Sequence, residues 1–197
     1  MYSKPIQELI NAFAKLPSVG ERTAERYVFH LLRSGKKDVA ELTLALKDLI
    51  DNIKSCETCW NFSDSNPCPI CIDNKRDHTT ICVVANFPDI EAIEKIGFYS
   101  GVYHVLRGTI KADDELDNLK IKELLKRIKL DKNLQEIILA LNPNLEGETT
   151  MMYLQREIKK INPNLNITRL ARGLPMGSDL QYADEITLES ALKNRTK

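Results

Sequence analysis

Four cysteines constrain this chain more than any other feature. Cys56, Cys59, Cys68 and Cys71 are spaced C-x2-C-x8-C-x2-C, within a stretch (56–79) of Cys, Asn, Asp, Ser and Pro that has few apolar residues and no sustained period. Such a segment cannot bury a core of its own. Each Cys-x-x-Cys pair places two thiolates at the bend of a tight knuckle, and two knuckles complete a tetrahedron that zinc accepts without geometric penalty. Binding of Zn²⁺ supplies on the order of 10–16 kcal/mol of apparent folding energy, the resource a core-poor segment needs. A redox pair is the competing reading, but two pairs this close together are more typical of metal. A catalytic zinc needs an open fourth position, and four cysteines leave none. The expectation is one structural Zn²⁺ per chain. The fifth cysteine, Cys82, lies in an apolar run and reads as a small core residue.

Around this segment the pattern changes twice. Before it, apolar residues recur at helical spacing: Ile6, Leu9, Ile10 and Phe13 over 5–15; Ala24, Tyr27, Val28 and Leu31 over 21–33; Leu42, Leu46, Leu49, Ile50 and Ile53 over 38–55. After it, strand-like runs (80–86, 101–106, 136–141 and 166–171) alternate with helical ones (89–96, 119–128 and 149–161), and a last helix spans 184–192. Alternation of this kind predicts βαβ units and a mostly parallel sheet. The polar stretch 107–118, with Asp113, Asp114, Glu115 and Asp117, reads as an exposed loop. The predicted fold class is therefore multi-part α+β, with a helical N-terminal part, a four-cysteine finger, an α/β domain and a C-terminal helix.

The first two helices flank the turn LPSVG (16–20). A tight turn followed at once by a helix N-terminus presents free N–H groups and a positive dipole end to phosphate, contacts that carry no base information. Between Lys15 and Lys37 there are six Lys or Arg and two acids, a surplus of four, although the whole chain has a net charge of zero. At 100° per residue Arg22, Arg26, His30 and Arg33 share one helix face, opposite the apolar stripe. Lys15, Arg22, Arg26, Arg33 and Lys37 are the candidate DNA-binding residues. An ordinary solvated face is the bland alternative. Phe29, at the edge of the basic face, packs either within the chain or against a neighbouring chain.

Several enzyme classes lose their simplest support. The chain has no GxxxxGK[ST], no GxGxxG after a strand and no GxSxG elbow, and His30, His78 and His104 show no paired ligand spacing. No run approaches the roughly 18 apolar residues of a membrane span, and the N-terminus has no secretory pattern, so a cytoplasmic protein is expected. Glu146 and Glu148 follow a strand end, where acids either hold a weak ion or start a helix; the helix start is favoured.

Five segments stand in a fixed order: LPSVGERTAER, the four-cysteine knuckle, ICVVANFPDIEAIE, LALNPNLEGETTMMYLQREI and RLARGLPMGSDLQYADEITLESAL. Together they resemble the RecR family of bacterial recombination mediators over nearly the whole chain. The resemblance implies a helix-hairpin-helix (1–55), a C4 zinc finger (56–79), a Toprim domain (80–172) and a C-terminal segment (173–197). It implies ring-like dimers or tetramers that bind single- and double-stranded DNA without sequence specificity. It further implies work with RecO, and often RecF, to load RecA onto single strands coated by SSB, with no catalysis. Arg22 and Arg26 match basic positions that contact DNA, and Glu146 matches the glutamate implicated in RecO contact, with Glu148 its acidic companion. Two departures stand out. Ser18 replaces a turn glycine, and serine tolerates the left-handed region poorly. Asn86 replaces the acid that catalytic Toprim enzymes use with a later Asp-x-Asp to hold metal. The rival readings are a Toprim nuclease or primase, against which the missing acids at Asn86 and 142–144 count, and a zinc-dependent protein adaptor that never touches DNA, against which the basic face counts.

Overall fold

The computed structural model describes residues 2–111 and 116–195. The chain divides into two compact units, Met1–Ile53 and Lys54–Lys197.

The first unit is three helices: α1 (Lys4–Phe13), α2 (Glu21–Ser34) and α3 (Lys36–Asn52). Pro5 sits in the first turn of α1, where its missing N–H has no cost. Gly35, at φ 94°, ends α2 and turns the chain directly into α3. The core is small. Ile10, Ala24 and Val28 are buried, with Ile6, Phe13 and Val19 packed against them. The stripe expected on α3 is present in sequence but left open: α3 has no buried residue, and Ile50 is 78% exposed.

The second unit begins with a two-stranded antiparallel ribbon, β1 (Lys54–Ser55) and β2 (Phe62–Ser63), followed by the single-turn α4 (Pro69–Ile72). These pieces and their connections carry the four cysteines, of which Cys71 lies in α4 and Cys68 caps it. A parallel sheet follows in the order β4-β3-β5-β6, built from β3 (Asp77–Val84), β4 (Gly101–Val105), β5 (Glu136–Ala140) and β6 (Asn166–Arg169). The crossovers are α5 (Phe87–Glu94), α6 (Ile121–Leu130) and α7 (Leu145–Ile161), and α8 (Glu185–Lys193) closes the chain. The two central strands, β3 and β5, are rich in β-branched residues because parallel strands are covered on both faces. One face packs Ile81, Val83, Ile137 and Leu139 with Leu124 of α6 and Leu154 of α7. The other packs Cys82, Val84, Tyr103 and Val105 with Ile90 of α5. Among the described residues, no helix is long and apolar enough to cross a membrane.

Two expectations need correction. Helix α7 starts at Leu145 and not at Thr149, because the Asn144 side chain accepts the Gly147 N–H at 2.8 Å and caps it. Gly147 is required there, since a Cβ would lie 2.0 Å from the Asn142 carbonyl oxygen. The stretch 107–118 is also not simply an exposed loop. Arg107, Thr109 and Ile110 are half-buried, the Ile110 N–H donates to Thr150 Oγ1 at 2.8 Å, and Leu116–Asn118 form a short 3-10 turn. Asp113, Asp114 and Glu115 lie outside the described residues.

Candidate zinc centre and nucleic-acid interface

The backbone of the finger forms both knuckles before any metal is considered. At the first, the Trp60 N–H donates to the Cys56 carbonyl and the Cys56 N–H to the Asn61 carbonyl, each at 2.8 Å. At the second, the Cys71 N–H donates to the Cys68 carbonyl at 2.9 Å. The four sulfur atoms fall within 4.8 Å of one another, and Cys59 and Cys68 Sγ are 3.6 Å apart. Zinc–sulfur bonds of about 2.3 Å require a tetrahedron of this size. The Cys68 N–H points at Cys56 Sγ, 3.4 Å away, a donor suited to a thiolate. Cys56, Cys59 and Cys68 are buried. Packed this closely, the thiols compete for protons. Hydrogen bonding between Cys59 and Cys68 pushes Cys59 up and holds Cys68 down, and Cys71 is raised by its hydrogen bonds to both. A divalent cation between them relieves that competition. The donor set therefore fits one tetrahedral Zn²⁺ with no open position.

The finger is bolted to the sheet through its backbone. The Val105 N–H of β4 donates to the carbonyl of Cys59 at 2.8 Å. Arg127 of α6 donates to the Tyr103 carbonyl at 2.8 Å and to that of Thr58 at 3.4 Å. Arg107 donates to Ser55 Oγ at 2.6 Å and to the Trp60 carbonyl at 3.3 Å. Just past the finger, Arg76 pairs with Glu94 and donates to the Gly101 carbonyl at 3.0 Å, while Tyr103 Oη donates to Glu94 at 2.6 Å. Arg76 holds the Glu94 carboxyl below its ordinary range.

In the first unit, the turn between α1 and α2 is closed by Leu16 N–H to Phe13 and Val19 N–H to Leu16, at 3.0 and 3.1 Å. Ser18 adopts φ 62°, the left-handed conformation that makes serine a poor fit. Helix α2 then starts with Gly20 as its N-cap; the Gly20 carbonyl takes the Thr23 and Ala24 N–H groups, and the Glu21 and Arg22 amides find no backbone partner among the described residues. Lys15, Arg22, Arg26, His30, Arg33 and Lys37 are all exposed, while Ala24 and Val28 point into the core. Lys37 sits 3.9 Å from Glu41, an exposed pair of little energetic weight. Tyr27, expected in the apolar stripe, is 41% exposed and leans edge-on against Phe13. Phe29 packs within its own chain, edge-on to Tyr2 at 5.4 Å between ring centroids.

The strand-end positions of the α/β part carry amides. The Asn86 N–H donates to the Asp89 carboxylate at 2.8 Å and opens α5; Asn144 caps α7. Glu146 and Glu148 both lie in the first turn of α7 and are half-buried, yet they are engaged differently. Glu146 accepts from Thr109 Oγ1 at 2.8 Å. Glu148 pairs with Arg172 and, at 3.6 Å, with Arg169.

Comparison with known proteins covers the same parts. Residues 6–50 match the RecR helix-hairpin-helix family, 53–73 the RecR four-cysteine zinc finger domain, 79–171 the Toprim domain and 173–196 the RecR C-terminal family. Proteins named Recombination protein RecR from Staphylococcus aureus strain MRSA252, Staphylococcus saprophyticus and Staphylococcus haemolyticus are each 44% identical over 198 residues, covering 100% of this chain and 98% of theirs. The chain belongs to the RecR family.

Within the RecR frame, the multi-part fold and the four-cysteine zinc site expected from sequence both hold. Sequence reasoning missed the hydrogen bonds of Arg107, Arg127 and Arg76. Each joins positions far apart in the chain, and no local pattern announces such a bond.

Proposed function

We propose that this chain is a non-catalytic, DNA-binding mediator of recombinational repair. In this reading it acts in the cytoplasm with RecO, and with RecF where that protein is used, to load RecA onto SSB-coated single-stranded DNA. The observation that carries it is the cationic face of α2, with Arg22, Arg26 and Arg33 exposed directly after a turn that opens a helix N-terminus, in a chain related over its full length to recombination proteins. Lys15 and Lys37 extend the cationic region at either end. Phosphate contacts of this kind position the protein on any sequence.

The absence of catalysis is supported by what occupies the strand ends. Asn86 and Asn144 serve as helix caps, and neither can supply the carboxylate that holds Mg²⁺ in an enzyme. Glu146 and Glu148 are the proposed contact for a basic partner such as RecO. Glu148 already pairs with Arg172, so Glu146 is the one held by a neutral hydroxyl and open to a competing cation. Self-association into a dimer or tetramer is supported by α3, whose apolar stripe finds no cover within its own unit. Several hairpins in one assembly then add their weak phosphate contacts.

The test is a salt series with Arg22→Ala and Arg26→Ala on single- and double-stranded oligonucleotides of unrelated sequence. Both variants lose affinity for all of them, and the logarithmic salt slope falls by about one for each phosphate that the protein no longer neutralises. Wild-type affinity and slope in both variants would place the DNA surface elsewhere and favour the adaptor reading.

A further inference from the structure

Trp60 and Arg107 are two of only three non-glycine residues with positive φ among the described residues, at 64° and 65°, and they touch each other. A bulky residue in the left-handed region is an outlier that persists where its surroundings over-determine it, and such outliers cluster at working sites. Here they build a cluster of rings and cations. The Arg107 guanidinium lies 4.6 Å from the Phe62 ring centroid and 5.8 Å from that of Trp60, and the Lys120 ammonium lies 4.2 Å from the Trp60 centroid. Phe62 nonetheless remains 52% exposed, and a 530 Å³ cleft opens beside Trp60. Lys120 is paired with Glu123, but Arg107 meets no carboxylate among the described residues.

We propose that Phe62 and Trp60, with Arg107 and Lys120 against them, form a base-stacking site for single-stranded nucleic acid, in a different unit of the chain from the helical hairpin. A ring held from one side by a cation and half-open to solvent is a platform for a flat π-face, and every unpaired base offers one. The charge of Arg107, bonded only to neutral oxygens among the described residues, suits a backbone phosphate. Glu57 and Asp131 line the cleft together with Lys126 and Arg127, and their carboxylates can accept hydrogen bonds from base N–H groups, the thymine imino N–H included. A duplex keeps its bases stacked and cannot use the site. The choice of a polynucleotide as ligand rests on the DNA-binding reading above.

Trp60 is the only tryptophan in the chain, which makes its emission a reporter of this one place. Oligothymidylate quenches it, and duplex DNA of equal length does not, while fluorescence anisotropy of labelled DNA reports total binding separately. Phe62→Ala lowers affinity for oligothymidylate about ten-fold and leaves duplex affinity unchanged. Phe62→Leu keeps an apolar side chain against Arg107 but removes the π-face, and it shows the same selective loss with one zinc per chain retained. Binding by anisotropy without a Trp60 response, or equal losses on single strand and duplex, or no loss in Phe62→Leu, overturns the stacking site while the hairpin reading stands. No binding to either DNA overturns both.

Discussion

The two units of this protein reach stability by different routes. Among the described residues Met1–Ile53 buries three, Ile10, Ala24 and Val28, and none of them belongs to α3. Lys54–Lys197 has a four-stranded sheet packed on both faces and, at its start, a finger whose centre is made of cysteines. The finger and the hairpin are both too small for a conventional core, and they differ in what completes them. The finger is saturated by an ion with a closed coordination shell. The hairpin unit keeps the apolar stripe of α3 exposed. Their dependence on solution conditions should therefore separate cleanly.

The largest separation is expected from metal. Cys68→Ser, or a strong chelator, removes the zinc and unfolds the finger, a loss of several kcal/mol out of the ~10–16 that a structural zinc supplies. Because the finger carbonyls of Thr58, Cys59 and Trp60 are tied to α6, to β4 and to Arg107, the sheet loses protection next. Hydrogen exchange followed residue by residue checks this. Faster exchange in α1 and α2 equal to that in β4 would show that the two units are not separate in the way described.

Acid should act on the second unit as well, through His104. This histidine is buried in β4, its Nε2–H donates to the Lys120 carbonyl at 2.9 Å, and its Nδ1 has no partner among the described residues. Burial pushes its pKa down to about 4; the charge of Arg127 adds to the depression and that of Glu123 opposes it. The unfolded chain, with an ordinary histidine near 6.5, binds the proton first, so stability is whole above about pH 6.5 and falls as pH drops toward 4. The full loss is on the order of 3 kcal/mol. Denaturant unfolding at pH 7 and pH 5 measures the slope, and His104→Gln should flatten it. An unchanged slope in that variant would assign the acid sensitivity to other groups. His30 and His78 are exposed and offer no comparable burial.

The smallest effect belongs to the hairpin. Ser18 holds φ 62° in the turn, so Ser18→Gly relieves strain at the cost of added freedom in the unfolded chain, a net gain of up to about 1 kcal/mol. The gain should be confined to Met1–Ile53, and thermal unfolding followed by amide protection in α2 reads it. Destabilisation would mean that the serine side chain supports the turn.

These contrasts also show what the sequence made legible. Spacing alone located the metal ligands, because a knuckle is a local object. Alternating apolar runs located the sheet, because burial on both faces leaves a dense β-branched signature. For α7 the apolar period alone puts the start four residues late, at Thr149, while the strand-end acids Glu146 and Glu148 mark its first turn correctly. Its first turn, with Glu146, Gly147 and Glu148, follows capping and dipole rules and has no apolar period. For α3 the apolar period matches the helix, but periodicity reports a stripe and not what covers it. The rings around Arg107 were invisible because Trp60 and Arg107 are 47 residues apart and each breaks the conformational rule for its type.

One bond described above reaches beyond the finger itself. β4 is an outer strand of the sheet, and the outward groups of such a strand are a template on which a foreign strand can grow. In this chain the Val105 N–H is taken by Cys59 and the Tyr103 carbonyl by Arg127, two of the groups an intruding strand would need. Since Cys59 is itself a zinc ligand, the metal guards that border against aggregation. Loss of the metal would therefore open the border of the sheet as well as the finger.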